Sequence, residues 1–279
     1  TTYDDFGNVL VQTNANGVTE TYTWYDKDGE EGCPADPQHF VRNLKSKTVT
    51  PASSAYGDAP TLQHRYSYTA HRGLNGSESW LAMSEESLTK VNASDASQVL
   101  RTIAHEYLND LDDPLRHGLI RKMTLTVNGQ IDRSTTTTYD YDHAYNFHAN
   151  VMARRTVSTM IGHDDAPDRP VRQVITEEHS LFNGIKLSSK DSNGAEIIYH
   201  HDRLGRVTEE VVGLGTDYVA NRQYQYALTC GDPGQQAVQY TTDIKGVPTR
   251  TWFDGLNRLL KEERQDIDAL GGESSLFRT

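Results

Sequence analysis

Long hydrophobic runs are missing from this sequence. Hydrophobic residues make up 35 % of its 279 positions, and no stretch approaches the roughly 20 apolar residues that a membrane-spanning helix requires. Membrane insertion by this chain is therefore not expected. Cysteine is scarce. Cys33 and Cys230 cannot build a four-cysteine zinc site and do not form a C-x-x-C pair; two free thiols are expected. Positive charge is in deficit, with 27 Lys and Arg against 39 Asp and Glu, a formal charge of −12. That balance argues against nonspecific binding to nucleic acid or to an anionic membrane, either of which needs a basic face.

Signatures of catalysis and of cofactor binding are also lacking. There is no G-x-S-x-G elbow. The string GLGTDY (213–218) has neither the lysine nor the strand-to-helix setting of a phosphate loop, and HEY (105–107) lacks the second histidine of H-E-x-x-H. Eleven histidines invite a search for metal ligands. In HHD (200–202), however, neighbouring strand residues point to opposite faces, and His201 takes the place of Phe253 in another copy of the same motif. The acidic string GHDDAPD (162–168) lacks the spacing of a calcium loop. NGS (75–77) and NAS (92–94) match glycosylation sequons. No cofactor, no metal and no enzymatic activity are expected.

What the sequence does contain is a repeat. YHHDRLGRVTE (199–209) is echoed by TWFDGLNRLLKE (251–262) and by TTYDDFGNVLVQ (1–12). Aligned on the acid, Asp4 is followed by Gly7 and Asn8, Asp202 by Gly205 and Arg206, and Asp254 by Asn257 and Arg258. A second glycine precedes each later copy, Gly194 before Asp202 and Gly246 before Asp254, and Gly17 follows the first. The aromatic positions are Tyr3, Tyr199 and Trp252, with a looser copy at Tyr139–Asp140. An acid before a turn accepts the backbone N–H groups just ahead of it. Glycine or asparagine three residues later supplies the positive φ of a tight hairpin. Apolar alternation on either side, with 15 Tyr and abundant Thr, suits half-buried strands. The unit reads as strand, tight turn, strand, second turn, with Tyr and Trp stacking in rows across neighbouring strands. The fold class is all-β, an array of antiparallel hairpins forming a long curved sheet.

Tyr-Asp-x-x-Gly-Arg/Asn, in YDDFGNVL, DSNGAEIIYHHDRLGRVTEE and DIKGVPTRTWFDGLNRLLKEE, resembles the YD repeat of Rhs proteins, of the B and C components of Tc insecticidal toxins, and of teneurins. The resemblance implies a strip of sheet wound into a hollow shell around the protein's own C-terminal toxin segment. It implies, further, a secreted or cell-surface protein of which this chain is a piece. Its partners would be the remaining repeats, the toxin cargo, and a toxin-complex or secretion-system component. The shell-associated protease role is not carried over, because GDPG (231–234) lacks the expected hydrophobic continuation. A different function is a carbohydrate- or cell-surface-binding module that uses exposed Tyr and Trp rows, Trp80 and Trp252 among them.

Along the chain, residues 1–279 read as one continuous segment. Repeats are clearest at 1–26 and 171–263 and degenerate, with long loops, over 27–170. Insertions stand at 27–40, 143–149 and 162–170. Residues 41–70 predict two strands around a loop with Pro51, Gly57 and Pro60. Residues 98–127 show helical spacing at their start, but the turn signals at 112–118 favour a hairpin. Unpaired edge strands predict self-association, chiefly through NVLVQT (8–13), which carries little charge to block strand addition.

Overall fold

The computed structural model describes residues 1–53, 59–91, 97–130, 134–162, 171–227, 236–265 and 277–278. Gly57, NAS (92–94), most of 162–170, GDPG (231–234) and Cys230 lie outside the described residues. The chain is all-β, as alternation and turn spacing predict. Among the described residues the one helical element is a 3₁₀ turn at Leu74–Gly76.

Two compact units are present: Thr1–Asp140 with Ser158–Gln173, and Tyr141–Val157 with Val174–Thr279. Unit 1 contains β1 (Thr2–Tyr3), β2 (Val9–Thr13), β3 (Thr19–Trp24), β4 (Leu44–Thr50), β5 (Thr61–His71), β6 (Trp80–Val91), β7 (Gln98–Tyr107) and β8 (Ile120–Val127). The unit boundaries fall within β9 (Thr135–Asn146), β10 (Val151–Gly162) and β11 (Val171–Ser180). Unit 2 continues with β12 (Lys186–Lys190), β13 (Glu196–His201), β14 (Val207–Val212), β15 (Ala220–Ala227), β16 (Ala237–Thr242), β17 (Pro248–Phe253), β18 (Leu259–Gln265) and β19 (Phe277–Arg278). Every resolved ladder is antiparallel and joins sequence neighbours, as in β3–β4, β7–β8 and β13–β14. The stretch 98–127 is the hairpin β7–β8. Its early helical spacing is overridden because Ile103 and Leu125 pair across the strands.

Among the described residues neither unit stacks a second sheet on the first. All extensive strand contacts run between sequence neighbours. Buried apolar residues are few among the described residues: Tyr25, Cys33, Ala82, Ala153, Leu187, Ile198 and Val247. Most strand residues are half-buried on both faces, so cross-strand pairs rather than a central core hold the sheet.

In unit 1 the register sorts side chains by chemistry. One face carries the row Thr23–Ser46–Arg65–Ser87–Thr102–Thr126, with Thr21–Thr48–Gln63–Thr89 beside it. The opposite face carries Tyr22–Lys47–His64–Leu88–Arg101–Val127 and Tyr66–Glu86–Ile103–Leu125. The insertion at 27–40 is not a loose surface loop throughout. Gly32 accepts the Tyr68 N–H at 2.8 Å, and Asp36 and Cys33 are the largest fully buried side chains described. At the strip's first strands, NVLVQT is not bare: β1 pairs with it, Tyr3 opposite Val9 and Thr2 opposite Val11.

Candidate functional site: the capped turn, the bulge and the carbonyl relay

The repeated acid builds one turn, used many times. In the turn from Asp202 to Arg206, the Asp202 Oδ1 accepts the N–H groups of Leu204 (2.9 Å) and Arg206 (3.0 Å). The Gly205 N–H donates to the Asp202 carbonyl at 3.0 Å, and Gly205 has φ +78°. The turn from Asp254 to Arg258 repeats these bonds, with Asn257 at φ +59°. So does the turn from Asp4 to Asn8, with Gly7 at +85°. A type I turn followed by one left-handed residue is the usual three-residue hairpin connection, and asparagine tolerates that conformation better than other non-glycine residues.

The second turn of each unit uses the same device. Asn14, Asp191 and Asp243 each accept two backbone N–H groups ahead of them, and Gly17, Gly194 and Gly246 take the positive φ. Asp36 does likewise for Gln38 and Phe40, with His39 left-handed. Sequence reading assigned these glycines but not their acids. The signal was the plain recurrence of Asp/Asn-x-x-Gly about every 11 residues, half the unit length. Tyr139 and Asp140 depart from the pattern. Both lie inside β9, and the turn beyond is capped by Asn146, which accepts the N–H groups of His148 and Ala149.

Electrostatics lock several of these turns. Partial burial of Asp202 opposes its ionisation, but the Arg206 side chain and the turn N–H groups outweigh that and hold the carboxyl below its ordinary range. Asp254 is held low by the Arg258 backbone N–H and then by the Arg258 side chain. The guanidinium bonds measure 2.7 Å in both turns.

In most units a β-bulge distinguishes the two turns. In the ladders β1–β2, β3–β4, β5–β6, β7–β8, β11–β12, β13–β14 and β17–β18 the register slips at Tyr3, Trp24, Tyr68, Tyr107, His179, His201 and Phe253. Each opposes a strand holding one extra residue. Of the alternate ladders, β2–β3, β4–β5, β12–β13, β14–β15 and β16–β17 run without a slip; β6–β7, which slips at Thr89, and β15–β16, which does not slip, depart from the alternation. The aromatic or histidine before the turn is therefore the bulge residue, which accounts for Phe253 and His201 being interchangeable. A bulge adds twist and leaves a backbone group without its ladder partner.

In four of these ladders the carbonyl opposite the aromatic or histidine accepts a side-chain donor from the next hairpin. Val9 opposes the bulge residue Tyr3, and its carbonyl accepts the Trp24 Nε1–H at 2.9 Å. Leu44 opposes Trp24, and its carbonyl accepts the Tyr68 hydroxyl at 3.1 Å. Met83 opposes Tyr68, and its carbonyl accepts the Tyr107 hydroxyl at 2.6 Å. In unit 2, Val207 opposes His201 and accepts the Tyr226 hydroxyl at 2.8 Å. The Arg206 guanidinium lies 4.4 Å from the Tyr226 ring centre, so one arginine ties the turn acid to the relay aromatic. Burial pushes the Tyr68 hydroxyl up to about 12 and also raises Tyr107, which keeps both as neutral donors.

This corrects the expected stacked rows of Tyr and Trp. The aromatics act mainly through polar tips, and their ring partners among the described residues are more often histidine, as where His71 stacks on Trp80 at 4.7 Å and meets Tyr107 at 5.0 Å. Trp80 and Trp252 are half-buried, and Lys261 lies over Trp252. The aromatic rings most open to solvent are instead Phe182, Tyr218 and Phe147. His200 faces Glu209 and His201 faces Val207. Among the described residues no group of three or more His, Cys, Asp or Glu is placed to hold a metal. Cys33 is a free, buried thiol whose ionisation burial disfavours.

No family model and no curated protein matches this chain. Among solved structures, the crystal structure of TcdB2-TccC3-TEV aligns over 99 % of this chain and 17 % of that one, at 12 % identity and a TM-score of 0.17. The chain thus spans about a sixth of that protein's length, and so loose a superposition carries no argument by itself.

Proposed function

We propose that the chain is a non-catalytic wall segment of an Rhs/Tc-type YD-repeat shell, exported as part of a longer secreted or cell-surface protein and enclosing a C-terminal toxin polypeptide. The observation that supports this reading is the construction of the sheet. Within each unit it is one layer thick among the described residues, and each relay aromatic donates to a carbonyl of the preceding hairpin. Such a strip grows by adding hairpins and does not need a core, as a wall requires and a globular enzyme does not. The repeat motif resembles that family's, and the bulge-and-turn geometry gives its residues a mechanical purpose.

The test is limited proteolysis and electron cryo-microscopy of the full-length gene product. A closed hollow density, with the C-terminal segment cut far more slowly than the same segment alone, is the expected result. Equal cleavage rates, or an open strip without a lumen, would overturn the proposal.

A further inference from the structure

We infer that unit 1 carries a binding groove for an oligosaccharide bearing a single carboxylate, and that Arg65 receives that carboxylate. Two adjoining clefts of about 570 and about 410 Å³ share Gln63 and Arg65. Both open on the hydroxyl-rich face of the sheet. Together they cross from β3 to β7, four strand spacings, or about 19 Å. That length suits an extended chain of sugars better than a single ring. The folded-over insertion bounds one end with Glu30 and Gly32.

The lining selects the ligand. Ser87 and Thr89 present hydroxyl groups, which match sugar hydroxyls and penalise an apolar ligand whose burial would leave them unpaired, while Gln63 is held by Thr48 and Arg65 and fixes the groove floor. Charge narrows the class further. Lys45 is already paired with Glu30, and Glu31 stands in the same cleft, so a polyanion such as nucleic acid meets repulsion there. Arg65 differs from Lys45. It is exposed, its Nε donates to the Gln63 Oε1 at 2.8 Å, and no ion pair to a carboxylate forms at it among the described residues. Arg65 lines both clefts, and a guanidinium suits a planar, two-point bond to a carboxylate. This site is independent of the shell reading, because a wall needs no groove of this composition.

Isothermal titration and saturation-transfer NMR with 3′-sialyllactose, lactose and a heparin-derived hexasaccharide test the inference on the whole chain. Saturable sialyllactose binding is expected, at least tenfold tighter than lactose. Arg65→Gln should abolish the preference for the acid while Arg65→Lys keeps part of it, and Arg203→Gln, in unit 2, should leave binding unchanged. Arg65 is exposed, so the melting temperature of its variants should hold, and a circular dichroism melt confirms that they fold. No saturable signal up to 10 mM, equal loss in Arg203→Gln, lactose binding as tight as sialyllactose, or tighter binding of the heparin fragment would each overturn it.

Discussion

Unit 1 and unit 2 are the same hairpin device, and both use capped turns and the carbonyl relay, but in different proportion. Unit 2 has short strands of five to eight residues from β12 to β18, and turns clamped locally by Asp202–Arg206 and Asp254–Arg258. Unit 1 has strands of 10 to 12 residues in β5, β6 and β7, with irregular turns. Its hairpins are joined by the relay Trp24, Tyr68, Tyr107, whose bonds span 15 to 24 residues of sequence. A strip can therefore be kept in register either at its turns or across its strands. Where the strands are long enough to pair well, the turns are free to degenerate.

The sharpest test of that contrast is one substitution made in both units. A Cβ at Gly118 would stand 2.8 Å from the Trp80 ring, whereas at Gly205 it would meet only Ile185, at 3.6 Å; both glycines have φ +78°. Gly118→Ala should cost about 2–3 kcal/mol, from strain and overpacking together. Gly205→Ala should cost about 1 kcal/mol from strain alone. Equal losses in denaturant titrations would mean that packing does not separate the units.

Next in size is the relay. Tyr68→Phe leaves the Leu44 carbonyl without its donor and should cost about 1–2 kcal/mol. Tyr199→Phe removes a hydroxyl with no such carbonyl to serve, in a motif that reads as a far better repeat, and should stay within about 0.5 kcal/mol. If Tyr199→Phe proves the costlier, the relay is not what holds unit 1.

The smallest expected effect concerns pH. Burial lowers the pKa of His201 below its usual 6.5. As pH falls below that value the unfolded chain takes up a proton that the folded chain refuses, so stability declines with acidification. His71 and His179 shift in the same direction, also chiefly through burial. His201→Phe, which copies the bulge residue of the 251–258 repeat, should flatten the fall in melting temperature between pH 7 and 5 without abolishing it. An unchanged slope would show that His201 titrates normally in the fold.

The sequence by itself determined the all-β class, the hairpin order and the positions of the tight turns. Those features are set within five residues. Asp202 finds the N–H groups of Leu204 and Arg206, and Gly205 takes its left-handed φ, whatever surrounds them. Asp191 and Asp243 belong to the same local code and were legible, though they were read only as far as their glycines. Only the tertiary structure decided what the aromatics do. Whether Tyr68 stacks, lies in solvent or donates to Leu44 depends on a bulge in one ladder and on the register of the next, and cross-strand register leaves no fixed spacing in sequence. The same holds for the sorted faces of unit 1. Thr23, Ser46, Arg65 and Ser87 lie far apart along the chain, and only pairing puts them in one row beside a groove.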